Sequence, residues 1–225
     1  MLTIVFDLDG TLIDTAPDLV DTLNVVLARE GFDAVAFDTA RPMIGAGARV
    51  MIERALAAQG QNPLPAAIER LFDAFIEHYA AHIADRSRPY PGLEPTLDAL
   101  AAAGNRLAVC TNKLEWLSRR LLDALSLTGR FAFICGQDTF AAPKPDPATL
   151  RNTILHAGGA PSRALMVGDS GTDVRTARNA KVPVVAVDFG YSEVPVAELR
   201  PDRIISSYAQ LPAAIRAVME PEARR

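Results

Sequence analysis

The stretch Thr3-Ile4-Val5-Phe6-Asp7-Leu8-Asp9-Gly10-Thr11 sets the frame for the whole chain. A short apolar run that stops abruptly at polar and turn residues reads as a buried strand, because it is too brief for a helix. Alternate side chains of an extended chain point the same way, so Asp7 and Asp9 can face one pocket where Gly10 permits a turn. Runs of the same kind recur at 106–110, 131–135, 164–167 and 183–187. Between most of them lie segments of helical period, at 114–126, 147–158 and 173–180. Strand and helix in alternation predict an α/β fold, a doubly wound, Rossmann-like parallel sheet.

That alternation is missing between the first two strands. From Ala16 to about Arg88 the chain is Ala-rich and helical in period, as in LVDTLNVVLAREGF (19–32), ARVMIERALAAQG (48–60) and AAIERLFDAFIEHYAAHI (66–83). The reading is a small helical cap domain, residues 16–87, inserted into a catalytic core made of residues 1–15 and 88–225. Pro17 suits a helix start, and Arg88-Pro89-Tyr90-Pro91-Gly92 resists both helix and strand, marking a return hinge. In the cap, Phe72, Phe75, Ile76 and Tyr79 form a stripe of ordinary core spacing that can equally line a dimer contact. His78 and His82 stand four apart, a metal-binding spacing, but no third ligand is evident and residue 79 is tyrosine where a zinc-protease helix needs glutamate.

Bulk composition narrows the function. The 225 residues are 49% apolar, enough for a sizeable core. A net charge of −4 leaves no basic field for nucleic acid or anionic membrane, while a local pocket can still take a small anion. Cys110 and Cys135 each follow an apolar run, which suits buried reduced thiols. With no apolar stretch long enough to span a bilayer, the expectation is a cytoplasmic protein, monomer or homodimer.

In an open parallel sheet, ligands collect beyond the carboxyl ends of the strands. The second run ends in Thr111 and Asn112, whose hydroxyl and amide can hold phosphoryl oxygens. The fourth ends in Gly168-Asp169-Ser170-Gly171-Thr172-Asp173, carboxylates on a small-residue turn suited to Mg2+. Lys144 lies between Pro143 and Pro145, just before an Asp146-Pro147 helix start, so a cation is fixed near the same place. Each element has a plainer reading: a turn for Asp7 and Asp9, a loop cation for Lys144, a helix cap for Asp169. Four such elements at four strand ends favour phosphoryl transfer, since an aspartate attacks phosphorus only where a metal and cationic donors offset the phosphate charge.

These motifs resemble those of the haloacid dehalogenase superfamily: DLDGT at 7–11, VCTN at 109–112, Lys144, and GDSGTD at 168–173. The resemblance implies Asp7 as nucleophile, Asp9 as general acid and then base, and Thr111, Asn112, Lys144 and Gly10 around the phosphoryl group. It implies Mg2+ on Asp7, the Asp9 carbonyl and Asp169, with Asp173 in or behind the same cluster. An acid at Asp9 suits an alkoxide leaving group, so a phosphate ester fits better than a halide. The absence of lysine between Thr15 and Asn112 removes a cap-borne Schiff base.

Within the superfamily, APDLVDTL (16–23), MIGAGARVMIERAL (43–56), RPYPGLEPTLDAL (88–100), TNK (111–113), GYSEVP and PDRIISS resemble bacterial phosphoglycolate phosphatases. For that substrate, Arg49, after the flexible 44–47 loop, is the candidate receiver of the carboxylate, against a place on a solvated helix face. Phosphatases for sugar phosphates, pyrophosphate or nucleotides and a phosphomutase share the catalytic residues. A non-enzymatic phospho-accepting signalling domain is the reading from another class, though it needs neither the cap nor the acid at Asp9.

Overall fold

A computed structural model describes residues 1–219. Strand β1 (Thr3–Phe6) is followed by the two-residue β2 (Ile13–Asp14) and then by helices α1 (Ala16–Arg29), α2 (Phe37–Ala40), α3 (Ala48–Ala58) and α4 (Pro65–Ala81). The chain returns through β3 (Arg88–Pro89) and continues α5 (Leu93–Ala102), β4 (Arg106–Cys110), α6 (Glu115–Ala124), β5 (Phe133–Cys135) and α7 (Pro147–His156). It closes with β6 (Ala164–Gly168), α8 (Gly171–Ala180), β7 (Val184–Val187), β8 (Arg203–Ile205) and α9 (Leu211–Met219).

The main sheet runs β5-β4-β1-β6-β7-β8, every pair parallel. Phe6 is level with Val109 on one side and Val167 on the other, so the chain leaves β1, β4 and β6 at the same edge. Alternation along each strand feeds two apolar layers. Ile4, Phe6, Leu107, Val109, Leu165 and Val167 belong to one; Val5, Ala108, Cys110, Met166 and Val184 join α7 and α8 in the other. Both faces are thus covered, which is why these strands read as continuous apolar runs rather than alternating ones. Cys110 and Cys135 are register partners on neighbouring strands, both free and buried.

Two expectations change. Arg88 and Pro89 do form a strand, pairing antiparallel with Asp14 and Ile13; a two-strand ribbon leaves an edge where proline's missing N–H costs nothing. The edge strand β8, only three residues and half exposed, carries too little apolar signal to be read in advance. The ribbon joins the helical insert to the sheet. Buried Asp18 at the start of α1 ties the returning chain to it, accepting from Arg86 N (2.9 Å), Ser87 N (2.8 Å) and Ser87 Oγ (2.6 Å). Within the insert, Leu23 and Val26 of α1 and Met51 and Leu56 of α3 share one core with Leu71 and Phe75 of α4. Arg41 reaches from the insert to the Phe189 and Gly190 carbonyls at 2.9 and 2.8 Å, and Arg54 pairs with Glu193. No helix among the described residues is long and apolar enough to cross a membrane.

Candidate active site

The strand ends converge as the parallel register requires. Asp7, one residue past β1, is buried, and its Oδ1 lies 2.9 Å from Lys144 Nζ. That ammonium also donates to Asp173 Oδ1 at 2.7 Å. The other oxygen of Asp173 accepts from Ser170 Oγ (2.7 Å), Ser170 N (3.1 Å) and Asp169 N (3.2 Å). Ser170 and Asp173 form a capping box that starts α8, so one fully buried carboxylate caps a helix, shapes the Asp169 turn and holds the cation. Lys144 itself is positioned by the turn into α7, whose N-cap Asp146 accepts from Ala148 N at 2.8 Å, as the Asp-Pro pair predicts. The ammonium has no exposed surface. Burial alone would discharge it, yet Asp173 and Asp7 prevail and hold its pKa well above the usual lysine value.

Asp169 accepts from Thr11 Oγ1 (2.9 Å) and Tyr191 N (2.6 Å). Ligand oxygens of Asp7, Asp169 and Asp173 all lie within 4.8 Å of one another. Crowding buried carboxylates is unfavourable. Burial first, and Asp173 second, raise the pKa of Asp7 well above the carboxylate range and that of Asp169 to about 7. A hard oxygen cluster that repels its own charge fits a divalent cation, which would relieve that repulsion.

Gly10 has φ +80°, and a Cβ there would lie 2.5 Å from Asp169 Oδ2. Its N–H donates to the Ile13 carbonyl at 2.9 Å, and the missing side chain allows close approach to Asp169. Thr111 and Asn112 sit at the end of β4, both buried; Asn112 Nδ2 donates to the Lys144 carbonyl at 3.2 Å, while its Oδ1 has no partner among the described residues.

Asp9 faces a cavity between sheet and insert. Its carboxylate accepts from Thr15 Oγ1 at 2.7 Å and from Lys113 Nζ at 2.9 and 3.0 Å. Asp7, Thr111 and Asn112 line the same cavity, and Phe72, Phe75, Ile76 and Tyr79 form its far wall. The aromatic stripe of α4 is therefore a site wall as much as helix core.

The structure places Arg49 elsewhere. It is absent from that lining; its guanidinium lies over the Phe72 ring, 4.5 Å from the centroid, and makes a two-pronged pair with Glu69 that includes a 2.9 Å contact. The partner comes from the next helix, which periodicity within α3 cannot reveal. The His78 and His82 rings lie 4.5 Å apart between centroids and tilted by 38°, with His82 Nδ1 on Asp85 Oδ2 at 2.7 Å; neither belongs to the acidic cluster.

Two residues escaped the sequence reading. Lys113 had one signal, being among only three lysines and directly after Thr111 and Asn112. Tyr191 had none beyond its segment; its N–H holds Asp169, while its hydroxyl donates to Asp14 Oδ1 at 2.6 Å and accepts from Ala16 N at 2.9 Å. It staples the acidic turn to the hinge.

A doubly wound sheet with an acidic cluster and a buried lysine at its carboxyl edge defines a class, and the chain belongs to it: residues 4–187 match the haloacid dehalogenase-like hydrolase family. It is an enzyme of that family. Among its relatives, a phosphoglycolate phosphatase of Mesorhizobium japonicum is 53% identical over 92% of each chain. Another of Agrobacterium fabrum is 50% identical over 94% of this chain and 91% of that one. Among solved structures, a predicted phosphoglycolate phosphatase from Haemophilus somnus superposes with a TM-score of 0.89 at 30% identity, covering 96% of this chain and 98% of that one. CbbY from Rhodobacter sphaeroides, in complex with phosphate, superposes at 0.79 with 26% identity, covering 94% of this chain and 96% of that one.

Proposed function

We propose that the protein is a Mg2+-dependent phosphatase that hydrolyses 2-phosphoglycolate to glycolate and phosphate through a phosphoryl group carried on Asp7. The observation that carries the reading is the buried Asp7 carboxylate, held by Lys144 beside Asp169 and Asp173, with Asp9 across the same cavity. An Asp7 oxygen attacks phosphorus, the ester P–O bond breaks, and the departing oxygen takes its proton from Asp9. In the second step Asp9 takes a proton from water, whose oxygen attacks phosphorus and returns the Asp7 carboxylate. Lys144, Thr111 and Asn112 hold the phosphoryl oxygens.

Asp7, the Asp9 carbonyl and Asp169 would hold Mg2+, which offsets the charge of phosphate and nucleophile when bound. Asp173, with both oxygens already engaged, acts by fixing Lys144 and the Asp169 turn. Residues 16–87 act as a cap on a core of 1–15 and 88–225, moving at the β2–β3 ribbon.

The substrate is supported by the phosphoglycolate phosphatases at 53% and 50% identity. The test is kcat/KM, with and without Mg2+, for phosphoglycolate, pyrophosphate, sugar phosphates and nucleotides, with Asp7→Asn as the blank. Preference for phosphoglycolate that disappears without Mg2+ or Asp7 is expected. Acid-quenched wild type should carry a phosphoryl group on the peptide containing Asp7. Full activity in Asp7→Asn would overturn the nucleophile; dominance of another ester would overturn the substrate alone.

A further inference from the structure

Beyond the phosphoryl machinery, the cavity has a polar corner that neither step of phosphoryl transfer uses. Among the described residues Lys113 is the only cation lining it, and it is 8% exposed. Its Nζ lies 2.9 and 3.0 Å from the two oxygens of Asp9 and 4.5 Å from the centroid of the Tyr79 ring. An ammonium carries three N–H donors, so the pair with Asp9 does not exhaust it. Tyr79, at 1% exposed, has a hydroxyl with no hydrogen-bond partner among the described residues. Burial pushes that phenol up to about 12, which keeps it protonated and able to donate. Around these two groups the wall is apolar, built by Leu19, Phe72, Phe75 and Ile76. The Tyr79 hydroxyl has no hydrogen-bond partner among the described residues, and the ammonium keeps a third N–H beyond its two contacts with Asp9. One anionic group placed between them would accept from both.

We propose that Lys113 and Tyr79 form the subsite that reads the substrate's carboxylate, selecting short esters in which the phosphate sits on the carbon next to a carboxylate. The inference rests on the phosphatase reading, since it takes Asp9 as the group beside the departing oxygen. That oxygen provides a ruler. The carboxylate carbon of phosphoglycolate is two bonds from it, and Lys113 is one hydrogen bond from Asp9. A group that reaches the ammonium must therefore lie close to the ester oxygen, which a terminal carboxylate on one methylene does and a longer chain does not. Arg49 does not compete, because Glu69 on the neighbouring helix already occupies its fork. An ester lacking the carboxylate would leave the Tyr79 phenol, and the N–H of the ammonium not engaged by Asp9, without an acceptor, which is how a polar site rejects an analogue.

The experiment compares 2-phosphoglycolate with ethyl phosphate, which has a methyl where the carboxylate stands, on wild type, Lys113→Met, Tyr79→Phe and Arg49→Ala. Lys113→Met frees Asp9 as well, so activity falls on both esters and the informative quantity is the ratio of their kcat/KM values. That ratio is expected to fall about 100-fold in Lys113→Met. Tyr79→Phe, which keeps the ring and its packing, should lower it about tenfold through KM for phosphoglycolate. Arg49→Ala should leave it unchanged. Calorimetric binding of the two esters to Asp7→Asn, with and without Lys113→Met, gives the same comparison without turnover. Equal losses on both esters, or a larger change in Arg49→Ala, would overturn the subsite. Equal treatment of the two esters by wild type overturns the subsite while leaving a general phosphatase standing. Discrimination retained in binding by a protein that turns over neither ester would instead overturn the phosphatase reading alone.

Discussion

Replacing Gly10 with alanine isolates how tightly the turn after β1 is packed against the Asp169 loop. The new methyl would lie 2.5 Å from Asp169 Oδ2 and 2.8 Å from Tyr191 Cδ2 on a backbone with φ +80°. The left-handed backbone costs about 1–2 kcal/mol for a residue with a Cβ. Relieving the overlap in a buried, well-packed place costs about 1–3 kcal/mol more. For a chain of this size the sum lowers Tm by roughly 4–20 °C. Gly31→Ala is the matched control: it has φ +79° and nothing within 4 Å, so it carries the backbone cost alone. Thermal unfolding of both variants therefore yields the packing cost by difference. Titration calorimetry with Mg2+ should show Gly10→Ala binding at least about tenfold weaker, because the carboxylate that must move is one of the proposed ligands. Equal Tm losses in the two variants, with Mg2+ affinity unchanged, would refute the argument that Gly10 is a glycine because of Asp169.

Asp173→Asn should destabilise the protein by about 3–5 kcal/mol in urea unfolding, since it strips a buried ammonium of one of its two carboxylates; a loss below about 1 kcal/mol would mean that Asp7 alone suffices. Tyr191→Phe removes the hydroxyl that bridges Asp14 and Ala16 N. Amide exchange at residue 16 is expected to quicken, with a stability cost of about 1–3 kcal/mol, and unchanged exchange would deny the staple. In metal-free protein, Asp169 has a folded pKa raised to about 7 by burial and by Asp173. The folded state then holds more protons than the unfolded one, so stability should fall as pH rises from about 4 to about 7. Saturating Mg2+ should abolish that fall, and a metal-free curve flat over this range would contradict it.

What could be read from the sequence follows from the geometry of parallel strands. Thr3–Phe6, 106–110 and 164–167 are apolar because both faces of the sheet are covered, and the residue that ends each run is placed at one edge by the register. The convergence of Asp7, Thr111 and Asp169 was therefore legible in the chain itself. Lys144 joined them because prolines on either side restrict its backbone. Contacts between the helical insert and the core were beyond that logic. Whether Arg49 or Lys113 faces the cavity depends on how α3, α4 and the β4 loop dock, and on Glu69 lying twenty positions along the chain to claim the guanidinium. The stripe at Phe72, Phe75, Ile76 and Tyr79 has the spacing of any buried helix face, and only tertiary packing decided that it closes over Asp9. Local periodicity says which face is buried; it holds no information about what that face is buried against.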